Sequence, residues 1–474
     1  MMMKKTLLLL LALMIGSLQL TGQDLSGRWQ GRLGIPGGSL RLELDVIQQE
    51  GSWKILLHSP DQGARDIPTT SVVVKGDSLA FAQPNLGILY RGRVSPSGEL
   101  VGQFSQGSFT AELRFKRGAA KPIVRVQEPK APLPYEEREV SFDAGVSGVK
   151  LSGTLTLPRA GAPHPLVILA TGSGPQNRDE ELMGHKPFLV LADSLTRAGY
   201  AVLRYDDRGV GKSTGSFATS LTTDFADDLE AALRYSLTLK EVNKQRIWLM
   251  GHSEGAVLAA MVAARTKVRL AGIALIAGPV KPLLELMLDQ GHAVLERSFA
   301  GREHLLALLT PIEELNQRLY TAAADETIPT EALIAKFDEL YRTSSLHAQL
   351  QEWPSEDEAD RKSIERSFRE QSFPALTSPY MRALLRIKPQ DYLSRVRCPV
   401  VAIFGEVDMQ VDRSNFDELK RLLPKAKATL LARHNHLMQP AETGFPDEYA
   451  RIEITFSSEA MQALLSLMRE AGKR

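Results

Sequence analysis

One pentapeptide constrains the fold of this chain more than any other feature: Gly251-His252-Ser253-Glu254-Gly255. It follows an apolar run at 247–250 and precedes an Ala-rich stretch at 256–264, a pattern that predicts a sharp turn between a buried strand and a helix. Such a turn strains the backbone of its central residue, and glycine on each side avoids a Cβ clash between strand and helix. We therefore predict that Ser253 is a nucleophile, presented at a helix N-terminus that favours developing negative charge.

A serine hydroxyl attacks efficiently only when a base takes its proton, so an acid and a histidine should accompany Ser253. With this type of turn, the partners follow along the chain in the order Ser, acid, His. Two later β-type apolar runs are followed by Asp408 and by His436, which are the preferred candidates. Two alternatives stay open at this point: Asp412 as the acid and His434 as the base.

The oxyanion that forms during attack on a carbonyl group needs two hydrogen-bond donors. The backbone N–H of Glu254, the residue after the nucleophile, is the first candidate. The second candidate is the N–H of Ser173, in the Thr-Gly-Ser-Gly-Pro loop at 171–175 that follows an apolar run. Small residues in this loop allow its backbone to approach a substrate closely.

From residue 135 onward, apolar runs of β type alternate with helical stretches. Near-continuous apolar strands between helices are typical of a buried parallel sheet. The segment at about 280–390 interrupts this alternation, because it is charged, rich in helical pattern and contains no convincing strand. A structureless loop of that length is implausible, so the segment predicts a helical cap inserted into an α/β domain at 135–474.

The first quarter of the chain has a different character. Residues 24–117 contain short alternating runs separated by Gly, Pro, Asn and Asp turns, which predicts a small all-β domain. Residues 118–134 are rich in Pro and charge and predict a linker. Residues 1–22 combine two lysines, a short apolar run and small polar residues, as a secretory signal peptide does. We therefore expect a secreted or periplasmic protein without stable membrane insertion after cleavage.

Several classes of function are disfavoured by the sequence. The formal net charge is +1, so bulk charge does not point to nucleic acid. A phosphate loop of the G-x-x-x-x-G-K-S type fails because position 206 is Asp. The single cysteine, Cys398, cannot form an internal disulfide and is expected in the core. The sequence lacks H-E-x-x-H, and His434 with His436 is too small a set for a metal, so we expect no metal or cofactor.

Several motifs occur together in one chain: G-H-S-E-G, Y-D-D-R-G-V-G-K-S (205–213), G-S-G-P-Q-N-R-D (172–179), G-E-V-D (405–408) and H-N-H-L-M-Q-P (434–440). In combination they resemble bacterial α/β-hydrolases of the serine aminopeptidase S33 (hydrolase-4) type, including exported carboxylesterases of the carboxylesterase D type. The resemblance covers roughly residues 135–474.

The resemblance implies an α/β-hydrolase fold, with a mostly parallel sheet and a helical cap, and no cofactor. It implies a catalytic triad and two oxyanion donors, which are Ser253, Asp408 and His436, with Ser173 and Glu254. The chain departs from the pattern at Thr171, where many relatives carry His before the Gly. That difference concerns the hydrogen bonding of the loop.

The preferred hypothesis is a serine hydrolase that cleaves small-molecule carboxylic esters through an acyl-enzyme on Ser253. One alternative is a serine peptidase or aminopeptidase that uses the same triad on short peptides. The other is a catalytically silent binding protein in which the segment at 24–117 is the active part. Side-by-side assays of esters and aminoacyl amides distinguish the first two.

Overall fold

The computed structural model describes residues 24–35, 38–49, 51–60, 64–106, 109–118, 125–146, 148–354 and 358–472. The signal peptide predicted at 1–22 lies outside these residues. The chain divides into two compact units, Met1–Pro122 and Ile123–Arg474. Within the described ranges, none of the helices has the length and apolar character needed to cross a bilayer.

The first unit is one nine-stranded antiparallel sheet in its described part, larger than the small domain that the sequence predicts. Its strands are β1 Gly27–Ile35, β2 Gly38–Gln49, β3 Ser52–Ser59, β4 Ala64–Pro68, β5 Ser71–Lys75, β6 Ser78–Gln83, β7 Ile88–Val94, β8 Leu100–Gln106 and β9 Phe109–Arg117. Their order in the sheet is β4-β3-β2-β1-β9-β8-β7-β6-β5. Alternating side chains form one apolar core, in which the Tyr90 ring lies 5.5 Å from Phe81 and 5.3 Å from Phe115.

The second unit is built on an eight-stranded sheet with the order β10-β11-β13-β12-β14-β15-β16-β17. The strands are β10 Tyr135–Asp143, β11 Lys150–Pro158, β12 His164–Ala170, β13 Ala201–Tyr205, β14 Val242–His252, β15 Gly272–Ile276, β16 Val400–Gly405 and β17 Lys427–Leu431. Strands β10 and β11 pair antiparallel, and so do β11 and β13, whereas all other neighbours are parallel. The predicted mostly parallel sheet is therefore observed.

Helices cover both faces of this sheet, which explains why its strands read as continuous apolar runs. Helices α1 (Pro187–Arg197) and α14 (Ser458–Ala471) pack on one face, while α2 (Thr222–Ser236) and α3 (Glu254–Arg265) pack on the other. Helix α13 (Arg413–Leu422) lies between β16 and β17 along the chain. Alternate residues of each strand enter opposite cores, as the two-residue period of a strand requires.

A helical insertion separates β15 from β16. Its α-helices are α4 Leu283–Phe299, α5 Glu303–Leu306, α6 Leu309–Ala324, α7 Thr330–Arg342, α8 Ser345–Gln351, α9 Glu358–Arg366, α10 Phe373–Leu376, α11 Pro379–Leu385 and α12 Pro389–Leu393. A π-helical turn at Ser367–Ser372 joins α9 to α10. Leu315, Phe337, Tyr341 and Leu346 are fully buried in a core that belongs to this insertion.

The topology brings four loops to one edge of the sheet. Strands β14, β16 and β17 run parallel, so their carboxyl ends lie on the same side. Ser253 follows β14 directly, Asp408 follows β16, and His436 follows β17. The loop after β12, which carries Ser173, ends at this edge as well because β12 pairs parallel with β14.

Candidate active site

The turn at Ser253 has the geometry that its glycines predict. Ser253 adopts φ 53° and ψ −123°, a strained conformation for a residue with a side chain. A Cβ atom on Gly251 would lie 2.0 Å from the Gly255 carbonyl oxygen, and one on Gly255 would lie 2.1 Å from the Ala170 carbonyl oxygen. Only glycine fits at both positions, because strand β14, helix α3 and strand β12 approach each other at backbone distance.

Asp408 and His436 are in direct contact. Asp408 Oδ2 accepts a hydrogen bond from His436 Nδ1 at 2.8 Å, and Asp408 Oδ1 accepts from the N–H groups of Gln410 at 2.8 Å and Val411 at 2.9 Å. Both side chains are buried. The contact holds the imidazole in the tautomer that leaves Nε2 available as a base. In the described part of the chain, no hydrogen bond joins this Nε2 atom to Ser253 Oγ, and neither atom has another hydrogen-bond partner.

The two alternative candidates are engaged elsewhere. Asp412 Oδ1 accepts from Ser414 Oγ at 2.6 Å and lies at the start of α13. His434 contacts the Ala432 carbonyl oxygen through Nδ1 at 2.8 Å and Ser457 Oγ through Nε2 at 2.7 Å. With both ring nitrogens of His434 occupied, the geometry favours Asp408 and His436 as the acid and the base.

Both predicted oxyanion donors are available. Among the described residues, the N–H groups of Ser173 and Glu254 have no hydrogen-bond acceptor. The loop of Ser173 lies against the nucleophile, since a Cβ atom on Gly172 would be 3.2 Å from Ser253 Cβ. The Gly172 N–H itself donates to Glu180 Oε1 at 2.7 Å, which leaves the next N–H along the loop for an oxyanion.

A second acid–histidine pair lies behind Ser253, and sequence reasoning missed it. Glu180 Oε1 is 3.0 Å from His252 Nδ1, and His252 Nε2 donates to the His436 carbonyl oxygen at 3.0 Å. Burial alone lowers the pKa of His252, but the adjacent Glu180 carboxylate raises that pKa overall. The pair therefore connects the loop of Gly172, the turn at Ser253 and the loop of His436. The polar run that follows β12 was the available signal.

Comparison with known proteins identifies the family to which the chain belongs. A family model described as "Serine aminopeptidase, S33" (Hydrolase_4) matches residues 186–435, which is more than half of the chain. The chain belongs to this family. The fold is accordingly that of an α/β-hydrolase, and the family resemblance predicted from the sequence motifs is confirmed.

A curated relative of this S33-family chain is the esterase EstD of Thermotoga maritima, which is 32% identical over 180 residues. The alignment covers 38% of this chain and 41% of EstD, so the chain spans less than half the length of that relative.

Two similar solved structures each cover 71% of this chain with a TM-score of 0.42. One is Est1E of Butyrivibrio proteoclasticus with bound ferulic acid, at 16% identity over 100% of its chain. The other is a proline iminopeptidase of Mycobacterium smegmatis, at 17% identity over 99% of its chain.

Thr171, the position at which this S33-family chain departs from many relatives, is hydrogen-bonded to Asp207, which also contacts the far end of the loop. Asp207 Oδ1 accepts from Thr171 Oγ1 at 2.9 Å, and Oδ2 accepts from the Gln176 N–H at 3.0 Å. Burial raises the pKa of Asp207 to about 8, although these hydrogen bonds oppose the shift. Asp207 therefore carries a proton over much of the neutral range while it holds both ends of the loop.

The side chain of Glu254 connects the turn to the helical insertion of this S33-family chain. Its Oε1 accepts from Thr222 Oγ1 at 2.6 Å, and its Oε2 accepts from the Tyr380 hydroxyl at 2.5 Å. Burial raises the pKa of Glu254 above its usual range. Tyr380 belongs to α11. One residue therefore offers its backbone N–H at the nucleophile and its carboxyl group to the insertion.

Two further observations concern metals and the cysteine. Within the residues that the structure describes, no three His, Cys, Asp or Glu side chains are grouped as a metal ion requires. Cys398 lies before β16 and packs against the core. Burial raises the pKa of its thiol to about 11, which disfavours the thiolate that a cysteine nucleophile requires.

Proposed function

We propose that this S33-family protein hydrolyses carboxylic esters through an acyl-enzyme on Ser253. The observation that carries the proposal is the 2.8 Å contact between Asp408 Oδ2 and His436 Nδ1, at the sheet edge where Ser253 has its strained backbone. An acid, a base and a serine hydroxyl at one edge are the set that acyl transfer requires. The name of EstD as an esterase supports esters as the substrate class.

Each proposed role is assigned to an atom that has no other hydrogen-bond partner in the described structure. His436 Nε2 takes the Ser253 hydroxyl proton while Oγ attacks the carbonyl carbon, so a C–O bond forms and the carbonyl electron pair moves to oxygen. The N–H groups of Ser173 and Glu254 stabilise that oxyanion. Collapse breaks the ester C–O bond, and the leaving alkoxide takes the proton from His436. Water then repeats the sequence to release the acid and regenerate Ser253.

We further propose that the helical insertion acts as a cap that shapes the substrate pocket. The hydrogen bond from Tyr380 to Glu254 supports this role, because it fixes α11 to the residue that follows the nucleophile. A peptidase with the same triad is the competing activity, and the name of the S33 family favours it. The two activities share the attack by Ser253 and the hydrolysis of the acyl-enzyme, but a peptidase breaks a C–N bond and releases an amine.

The test compares the wild type with Ser253→Ala on p-nitrophenyl acetate, butyrate and octanoate, and on aminoacyl p-nitroanilides. We expect ester turnover that falls by roughly 10³-fold or more in the variant. Ser394→Ala, an exposed serine after α12, is the matched control and should behave as the wild type. Turnover of the anilides alone would overturn the ester proposal in favour of a peptidase. Failure to turn over either substrate class would favour the silent binding protein.

A further inference from the structure

A groove of about 1600 Å³ lies at the sheet edge opposite the proposed catalytic residues. Its lining residues lie at the starts of β15, β16 and β17 and at the ends of helices α3 and α14. Because these strands are parallel, their first residues share one edge, and that edge is distant from Ser253 and His436. The groove is therefore a separate feature from the proposed active site.

The charge of this groove is one-sided. Nine Lys and Arg side chains line it, and its described lining contains no Asp or Glu. Only Arg265 and Lys427 of these nine form ion pairs with carboxylates within the described residues. The remaining cations line a concave space without a carboxylate partner in the described ranges, while the whole chain has a net charge of only +1. Low-dielectric walls strengthen the positive potential inside such a space.

In the segment 265–269, exposed basic residues alternate with half-buried residues. Arg265, Lys267 and Arg269 are exposed, whereas Thr266 and Val268 between them are half-buried. Val268 packs against the core below the sheet edge. After α3 ends at Arg265 the backbone of Thr266 is extended, and the half-buried Thr266 and Val268 anchor the segment while Lys267 and Arg269 lie exposed at the groove.

The same alternation recurs on the neighbouring segments. Arg395 and Arg397 are exposed on either side of the half-buried Val396, and exposed Lys425 precedes the buried Ala426. These segments lead into β16 and β17, which are adjacent in the sheet and therefore roughly 5 Å apart. Three neighbouring segments thus contribute cations to the lining of one groove, where a bound anion would reduce their mutual repulsion.

We propose that this groove binds a soluble anion that carries several phosphate groups. A phosphate monoester carries about −1.5 to −2 charges and three acceptor oxygens, which suits closely spaced guanidinium and ammonium groups. Several linked phosphate groups supply a negative charge density that matches the size and the positive charge of the groove. Carboxylates carry one charge each and match it less well.

Two other polyanions fit the groove less well. Single-stranded nucleic acid is bound by stacking its bases on accessible aromatic rings, but the aromatic side chains of the groove, Tyr200 and Trp248, are buried. An anionic membrane is flat, whereas the groove is concave. No large hydrophobic side chain is exposed among its described lining residues, so none is available to enter a bilayer.

The test is calorimetric titration of the full chain with sodium tripolyphosphate at low ionic strength. We expect saturable binding that weakens as salt is added and that raises the melting temperature. The triple variant Lys267→Gln, Arg269→Gln and Arg397→Gln should weaken binding by at least about tenfold. Loss of repelling cations should leave its melting temperature, without ligand, at or above that of the wild type.

The matched control has the same change in charge outside the groove. Lys388→Gln, Arg65→Gln and Arg91→Gln replace one lysine and two arginines that are exposed and form no ion pair in the described ranges. This triple variant should bind tripolyphosphate as the wild type does. Equal weakening in both triple variants, or no binding to the wild type, would overturn the proposal. Binding to single-stranded DNA or to anionic vesicles without binding to tripolyphosphate would also overturn it.

Discussion

The two edges of the eight-stranded sheet differ in how their charged side chains are paired. At the carboxyl edge, buried acids have dedicated partners: Asp408 contacts His436, and Glu180 contacts His252. At the amino edge, exposed cations such as Arg269 and Arg397 have no ion pair in the described structure. A buried charge must be neutralised within the protein, whereas a hydrated one need not be. The charges at the first edge are therefore balanced within the protein. The charges at the second edge are balanced by anions from solution.

The largest effect that we expect at the carboxyl edge follows from Asp408→Asn. The amide cannot stabilise the imidazolium of His436 or hold its tautomer, so kcat should fall by roughly 10³- to 10⁴-fold on p-nitrophenyl butyrate. Asp412→Asn is the control and should retain most activity, because Asp412 is engaged with Ser414. A larger loss in the control than in Asp408→Asn would transfer the role of the acid to Asp412.

Glu180→Gln should have an intermediate effect. Loss of the negative charge weakens the contact with His252 and loosens the loop that carries Ser173, the proposed oxyanion donor. A shift of about 1 Å in such a group costs up to roughly 10²-fold, so we expect kcat to fall by about 10- to 100-fold with little change in KM. The neighbouring Glu181→Gln, on an exposed side chain, is the matched control. A rise in KM at constant kcat would contradict a role in positioning the oxyanion loop.

Asp207→Asn should change how stability depends on pH. Because the pKa of Asp207 is about 8 in the folded chain, the folded state keeps a proton that the unfolded chain releases near pH ~4. That contribution to stability is complete below pH ~4 and is lost as the pH rises to about 8.

An asparagine at this position mimics the protonated acid at every pH: its oxygen can accept from the Gln176 N–H, and its N–H can donate to Thr171 Oγ1, which reverses the hydrogen bond that the carboxylate accepts. The free energy of unfolding in urea should therefore shift in favour of the variant between pH 5 and pH 8.5. Asp391→Asn, on an exposed side chain, controls for the change of residue type. A difference between variant and wild type that does not vary with pH would disprove a raised pKa of Asp207.

The smallest effect concerns catalysis by the groove variant. Lys267→Gln, Arg269→Gln and Arg397→Gln should leave kcat and KM within about twofold of the wild type, because distant sites act independently. Initial rates on p-nitrophenyl butyrate with and without tripolyphosphate measure this directly. A large change in either case would show that the two edges are coupled.

The parts of the site that sequence could predict are those encoded locally or by order along the chain. The glycines at 251 and 255 are required by one turn, and the ends of successive parallel strands predicted the meeting of Asp408 and His436. The contact between Tyr380 and Glu254 depends on how the insertion packs, which no local pattern specifies. Glu180 was missed for a similar reason, since its partner His252 is 72 residues away.

Two features could not be predicted from composition or from local patterns. A net charge of +1 gave no sign of the groove, because acids elsewhere in the chain offset its cations. The first unit was predicted as an all-β domain, but its single nine-stranded sheet depends on pairing between strands, such as β3 with β4 and β6 with β7, that alternation alone does not specify.

The position of the insertion has a consequence for biosynthesis. His436 lies 184 residues after His252, so a ribosome completes the turn at Ser253 well before it adds the acid and the base. At translation rates of roughly 5–20 residues per second, this delay is on the order of 10 to 40 s. A nascent chain, or a fragment released within the insertion, thus carries the serine without its proton acceptor. We expect hydrolytic competence only when the last strands have joined the sheet, because the proposed acid and base follow β16 and β17.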